Sequence, residues 1–74
     1  MYTYKIHLQK EPEGGFTVSV PALPGCITYG ENIDEAIAMA KEAIELYIEE
    51  LQERDEAIPD NSNTLEYSIN LETV

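Results

Sequence analysis

The first third of the chain alternates between apolar and polar residues. In residues 2–9, Tyr and aliphatic side chains occupy the even positions and polar side chains the odd ones, a pattern typical of a strand with one buried face. Residues 11–15, Glu-Pro-Glu-Gly-Gly, have the composition of a turn, and residues 16–20 alternate again. This segment predicts a hairpin. Residues 26–29 predict a third, edge strand, antiparallel to the second.

The second feature is a long stretch in which apolar residues recur every three or four positions, from residue 32 to about 54. Asn32, with Glu35 three positions later, resembles a capping box. The pattern predicts one long helix whose sheet-facing residues are Ile33, Ala36, Ile37, Ala40, Ile44, Tyr47, Ile48 and Leu51.

The C-terminal residues 65–72 alternate once more, with Leu65, Tyr67, Ile69 and Leu71 on one side. This pattern predicts a fourth strand. We therefore expect one domain over residues 1–74, a two-layer α/β sandwich (α+β type) in the order strand-strand-strand-helix-strand. A right-handed crossover places the fourth strand beside the first and parallel to it. The predicted fold is a mixed four-stranded sheet of order 3-2-1-4, with the helix on one face.

Charge changes this picture by pointing to a class of partner. The 74 residues carry a formal charge of −11, and residues 31–56 hold ten acids against two basic residues. Such acidity argues against direct binding to nucleic acid or to anionic membranes, which requires clustered Lys and Arg. A basic protein is the better fit. Glu42, Glu45 and Glu49, on the outward face of the helix, are the candidate contacts, although a merely solvated face is the alternative.

Candidate chemistry is sparse. His7 alternates with polar neighbours and lacks an obvious catalytic partner, and Cys26, the only cysteine, is best explained as a small buried residue. Glu31 and the first-turn acids are better explained by helix capping than by metal binding. We therefore expect no catalytic residue, metal or cofactor. The single cysteine and the lack of a membrane-length or leader-like apolar run favour a cytoplasmic protein.

A chain this short buries only about 60% of the surface that it exposes when unfolded, less than a larger domain does, so self-association is expected. The predicted contacts of a homodimer or higher oligomer are an edge strand and a second helical stripe. They comprise Ile27, Tyr29, Met39, Ala43 and Leu46. For the helical stripe, the alternative is a wide core face.

Several segments together resemble one known family. Residues 15–30, Gly-Phe-Thr-Val-Ser-Val-Pro-Ala-Leu-Pro-Gly-Cys-Ile-Thr-Tyr-Gly, followed by Asp-Glu-Ala at 34–36 and Ala-Ile-Glu-Leu-Tyr-Ile at 43–48, are similar to HicB-like antitoxins. In this chain the prolines and the glycine of that motif, Pro21, Pro24 and Gly25, would shape the turn. The resemblance implies a partial ribonuclease H-like fold. It also implies an antitoxin of a type II toxin–antitoxin system that binds and occludes a basic, mRNA-cleaving HicA-like toxin.

Two departures limit what the resemblance implies. Ribonuclease H enzymes hold metal with an acid on the first strand, and none occurs there, so no catalytic role follows. Longer family members add a C-terminal DNA-binding domain, which we do not expect in residues 1–74. The alternatives are a free-standing oligomeric regulator or scaffold without a toxin and, ranked lower, a degenerate metal-dependent hydrolase.

Overall fold

The computed structural model describes residues 2–72, in which three short strands and one long helix form two layers. The elements are β1 (His7–Lys10), β2 (Phe16–Ser19), β3 (Ile27–Gly30) and α1 (Ile33–Glu53). The sheet order is β1-β2-β3, and both neighbouring pairs are antiparallel. The predicted hairpin and the antiparallel third strand are therefore confirmed.

The two loops of the sheet depend on backbone conformations that glycine adopts readily. In the hairpin turn, Gly14 N donates to Glu11 O at 3.0 Å, and Gly14 has φ of 106°. The β2–β3 loop contains Gly25 at φ 81°. In that loop Leu23 is fully buried. Its N donates a hydrogen bond to Val20 O at 2.9 Å, and its O accepts one from Cys26 N at 3.0 Å. The loop is thus built around one buried leucine.

The helix begins and ends close to where the periodicity predicts. Asn32 is the N-cap, and its side-chain oxygen accepts a hydrogen bond from Glu35 N at 2.8 Å. This bond satisfies one of the first-turn amides that have no partner within the helix. At the other end Arg54 is the C-cap, followed by Asp55 at φ 55°. The prediction of one long helix is confirmed.

The core lies where small residues let the helix approach the sheet. Ala36 and Ala40 pack on Val18, and all three are at most 1% exposed. Val20, Leu23 and Cys26 form a second buried cluster beneath the β2–β3 loop. The helix contacts mainly β3 and then β2, so its axis lies to one side of the sheet and not over β1.

The predicted fourth strand and the order 3-2-1-4 are wrong. Within residues 2–72, no strand follows the helix. The four alternating apolar side chains are exposed: Leu65 by 92%, Tyr67 by 90%, Ile69 by 74% and Leu71 by 78%. Alternation shows that a segment can present one apolar face. A strand also needs a partner backbone and a surface to cover, and the alternation does not specify either of them.

The absence of that strand also corrects the predicted buried face of the helix. Ile33 and Ile37, assigned to the core by the periodicity, are 53% and 49% exposed. Because the helix sits over β2 and β3, one side of its apolar stripe is left without a covering layer. In the part of the chain that the structure describes, the helix is not long and apolar enough to cross a membrane.

Candidate protein-binding surfaces

The acidic face of the helix is the first candidate surface. Glu42, Glu45 and Glu49 are exposed, and their spacing of three and four residues places them side by side on one face. Between residues 33 and 53 the helix carries seven carboxylates and one lysine. Within residues 2–72, none of the three glutamates forms an ion pair, so this row presents uncompensated negative charge to solvent.

The residues predicted as an oligomer interface do not lie together. In the sheet register Ile27 pairs with Ser19 and Tyr29 with Thr17, which places both on the face opposite the buried Val18. They are 65% and 48% exposed. This pair therefore lies on the outer face of the sheet.

The helical members of the predicted interface are divided as well. Met39 and Leu46 are 38% and 59% exposed and lie on the helix, away from that outer sheet face. Ala43 is partly buried and packs against the cluster around Leu23. The edge strand and the helical stripe are thus two separate surfaces, Ala43 fits the alternative of a wide core face, and the oligomer interface itself stays a prediction.

A groove that sequence analysis missed runs beside the helix. Its volume is about 320 Å³, and it is lined by Tyr4, Ile6, Ile37, Ala40, Lys41, Ile44 and Glu45. Most of the lining is apolar, with one lysine and one glutamate. Periodicity placed the apolar members in the core, and no sequence signal indicates that the layer expected to cover them is missing.

The C-terminal segment is held next to the residues that precede β1. Asn61 N donates to Thr3 O at 2.8 Å, and Lys5 N donates to Asn61 Oδ1 at 3.1 Å. The Tyr4 hydroxyl donates to Pro59 O. Burial, followed by the nearby Asp60 carboxylate, raises the pKa of the Tyr4 hydroxyl, and this favours the protonated donor form.

Asp60 strengthens the same anchor. Its Oδ1 accepts from Ser62 N at 2.7 Å and from Thr3 N at 3.3 Å. The pKa of the Asp60 carboxyl is lowered, first by the hydrogen bond from the Ser62 amide and further by that from Thr3. These bonds favour the ionised carboxylate. The chain leaves the helix and is fixed at residues 59–62 before it runs along the sheet edge.

The groups with potential chemistry are separated. His7 is exposed, and its Nε2 lies 3.0 Å from Glu66 Oε2. Cys26 is buried, and burial raises the pKa of its thiol, which disfavours the reactive thiolate. Over residues 2–72, no group of three or more His, Cys, Asp or Glu side chains converges as a metal site. The prominent features of this chain are surfaces that suit contact with another protein.

Comparison with known proteins points in the same direction. A family model described as "HicB_like antitoxin of bacterial toxin-antitoxin system" matches residues 4–73. A UPF0150 protein of Thermoplasma acidophilum is 44% identical over 63 residues, covering 84% of this chain and 91% of that protein. The protein named antitoxin HicB of Escherichia coli K12 is 38% identical over 56 residues, covering 76% of this chain and 41% of the antitoxin.

A relative from a phage, like the E. coli antitoxin, is matched over less than half of its own length. An uncharacterized 14.9 kDa protein of Haemophilus phage HP1 is 45% identical over 67 residues, which is 90% of this chain and 49% of the phage protein. The chain thus spans about half or less of the phage protein and of the E. coli antitoxin.

Proposed function

This chain belongs to the HicB-like antitoxins of bacterial toxin–antitoxin systems, and from that membership we propose that it neutralises a basic, HicA-like, mRNA-cleaving toxin by binding it. The antitoxin role follows from the family. The identity of the toxin, the surface used and the mode of action are the proposal. Family membership also suggests that the protein is not itself an enzyme, and a target that cleaves mRNA would place its action in the cytoplasm.

The single observation that carries the proposal is the row of unpaired carboxylates on the helix. An RNA-cleaving protein must neutralise phosphates, so its substrate-binding surface is expected to be cationic. Glu42, Glu45 and Glu49 offer that surface a row of negative charge without a competing cation on the row itself. Charge complementarity of this kind steers encounter and orients the partners.

The mechanism that suits this arrangement is occlusion. The helix is a rigid element of 21 residues, fixed at its start by the Asn32 cap and packed through Ala36 and Ala40 onto the sheet. Its carboxylates are thus presented on a preformed surface, which reduces the ordering cost of binding. Bound across the toxin's cationic surface, the helix would deny that surface to RNA without any chemical step on the antitoxin.

The test uses a purified, basic, HicA-like mRNA-cleaving toxin as the binding partner. The triple variant E42Q/E45Q/E49Q removes the proposed contacts, and E13Q/E31Q/E72Q is the control with the same change in net charge. All six positions are exposed, so both variants should fold. Since an exposed ion pair contributes about 0.2–1 kcal/mol, the first variant should weaken binding by about tenfold, and the control by about twofold or less.

Two readouts decide the outcome. Titration calorimetry at two salt concentrations measures the dissociation constant of the complex. This constant should depend less on salt for E42Q/E45Q/E49Q than for the control E13Q/E31Q/E72Q. Co-expression should rescue growth with the wild type. Absence of both a complex and rescue would contradict the antitoxin proposal and favour a free-standing regulator. Equal losses for the two variants would show that net charge, and not this helix face, determines binding.

A further inference from the structure

The groove beside the helix meets the acidic row at Glu45. This residue belongs to the row of exposed carboxylates and also lines the groove, together with Ile44, its neighbour in the chain. Four helix residues that follow one another at intervals of four form a single ridge, and they are Ile37, Lys41, Glu45 and Glu49. The apolar groove and the carboxylates are therefore parts of one continuous surface.

The acidic row provides little affinity by itself. An exposed ion pair tightens binding by at most about fivefold, so the three glutamates of the row together provide about a hundredfold. A nanomolar complex is about a millionfold tighter than a millimolar encounter. In protein complexes most of that difference comes from a few apolar or aromatic side chains that binding removes from water. The groove is apolar surface of this kind, placed next to the row.

The groove is open in the free chain. Ile37, on its helix side, is 49% exposed. The chain's own C-terminal segment, described through residue 72, does not fill it. Residues 61–66 are bonded beside Lys5 and His7 at the sheet edge, and Tyr67 is 90% exposed. The groove is thus accessible to a side chain of another molecule.

Charge complementarity selects that molecule. Between residues 33 and 53 the helix carries seven carboxylates and one lysine, so a protein that approaches the groove enters a negative field that favours a cationic partner. We propose that the cationic toxin inserts an exposed aliphatic or aromatic side chain into the groove while its basic residues contact Glu45 and Glu49. This inference rests on the proposed function and adds the apolar anchor of the same interface.

The dimensions of the groove fit a single anchor. Its volume of about 320 Å³ lies at the lower end of the range of about 300–1,000 Å³ for binding pockets, which suits one or two large side chains. Ile37 and Ile44 are seven residues apart, or about 10 Å along the helix, and Glu49 lies about 8 Å beyond Ile44. The partner therefore needs basic residues within about 10 Å of its apolar side chain.

The first experiment measures binding of a purified, basic, HicA-like toxin by titration calorimetry. Ile37→Gln makes the groove polar, and Leu46→Gln is the matched control, because Leu46 is also an exposed aliphatic residue of the helix but lies outside the groove. Ile37→Gln should raise the dissociation constant about tenfold, since burial of the exposed half of an isoleucine is lost. Leu46→Gln should change it by about twofold or less.

Two further readouts separate an apolar anchor from a charge effect. The loss in Ile37→Gln should be the same at two salt concentrations, because no charge is altered. The heat-capacity change of binding should also be less negative than in the wild type, because less apolar surface is buried. Circular dichroism checks that the helix of each variant is intact.

The second experiment locates the toxin on the surface. Ile37→Cys and Leu46→Cys are treated with a maleimide, with and without the same toxin, and the wild type, which retains the buried Cys26, gives the background rate. The toxin should slow the labelling of Ile37→Cys by about tenfold or more. It should slow that of Leu46→Cys by about twofold or less.

Each contrary outcome has its own meaning. If the wild type binds the toxin and Ile37→Gln binds it equally well, the anchor is excluded and the antitoxin proposal stands. If the wild type forms no complex, both proposals fail. Slow labelling of Ile37→Cys without toxin would show that the groove is already filled. A rate independent of protein concentration would then indicate the chain's own segment, and a rate that falls with concentration a second copy, and either result overturns the inference.

Discussion

Gly30, the last residue of β3, lies against the first turns of the helix at Ala36. A Cβ added there would lie 2.8 Å from Ala36 Cβ and closer still to the Ala36 backbone. Ordinary van der Waals contact begins at 3.4 Å. The obstructing atoms include backbone, so no side-chain rotation relieves the clash. In Gly30→Ala the start of the helix must move away from β3, which loosens the packing of Ala36 on Val18.

The expected cost follows from that geometry. Inserting atoms into a packed core costs about 1–3 kcal/mol, and an obstruction by backbone belongs at the upper end of that range. A domain of this size has an unfolding free energy of about 4–11 kcal/mol. With a urea m-value of about 1 kcal/mol/M for a small protein, the midpoint should fall by about 2–3 M. Helical circular dichroism at fixed protein concentration measures it.

Gly25→Ala is the matched control. Gly25 has φ of +81° and no atom within 4 Å of an added Cβ, so the substitution carries a conformational cost of about 1 kcal/mol and no clash. It should lower the midpoint by about 1 M. If Gly30→Ala left the midpoint unchanged, or lowered it less than Gly25→Ala, the close approach of β3 and the helix would be contradicted.

Three further predictions concern individual side chains. Asn32→Ala removes the N-cap bond and should lower the unfolding free energy by about 1 kcal/mol; a urea midpoint equal to that of the wild type would contradict the cap. Cys26, buried with a raised thiol pKa, should react with a thiol reagent at mildly alkaline pH far more slowly than the unfolded chain, and equal rates would refute its burial. Because bonds from Ser62 and Thr3 lower the pKa of Asp60, its stabilising contribution is present above the unfolded-state pKa and is lost as pH falls through the folded-state value. Carboxyl chemical shifts followed by NMR should give an Asp60 midpoint below that of an unfolded peptide, and an equal or higher midpoint would contradict the anchor.

Local structure was largely determined by the sequence. The period-two pattern of residues 16–20, the glycines of the hairpin turn and the antiparallel third strand all follow from short-range stereochemistry. The helix from Ile33 to Glu53 follows from its periodicity and from the Asn32 cap. These features depend on residues that are neighbours in the chain. Composition also placed most of the acidity on the helix and its flanks, where the candidate acidic surface lies.

Only the tertiary structure decided which apolar faces are covered. Ile37 and Tyr67 obey the same periodic rules as buried residues, yet they are 49% and 90% exposed. Periodicity reports that a face is apolar, whereas burial depends on whether another layer reaches it. Here the helix packs over β3 and β2, while the anchors at Asp60 and Asn61 lead the last segment along the sheet edge. The position of the helix on the sheet and the path of the chain after the helix together leave the groove open. Both depend on contacts between residues far apart in the chain, which the sequence pattern does not specify.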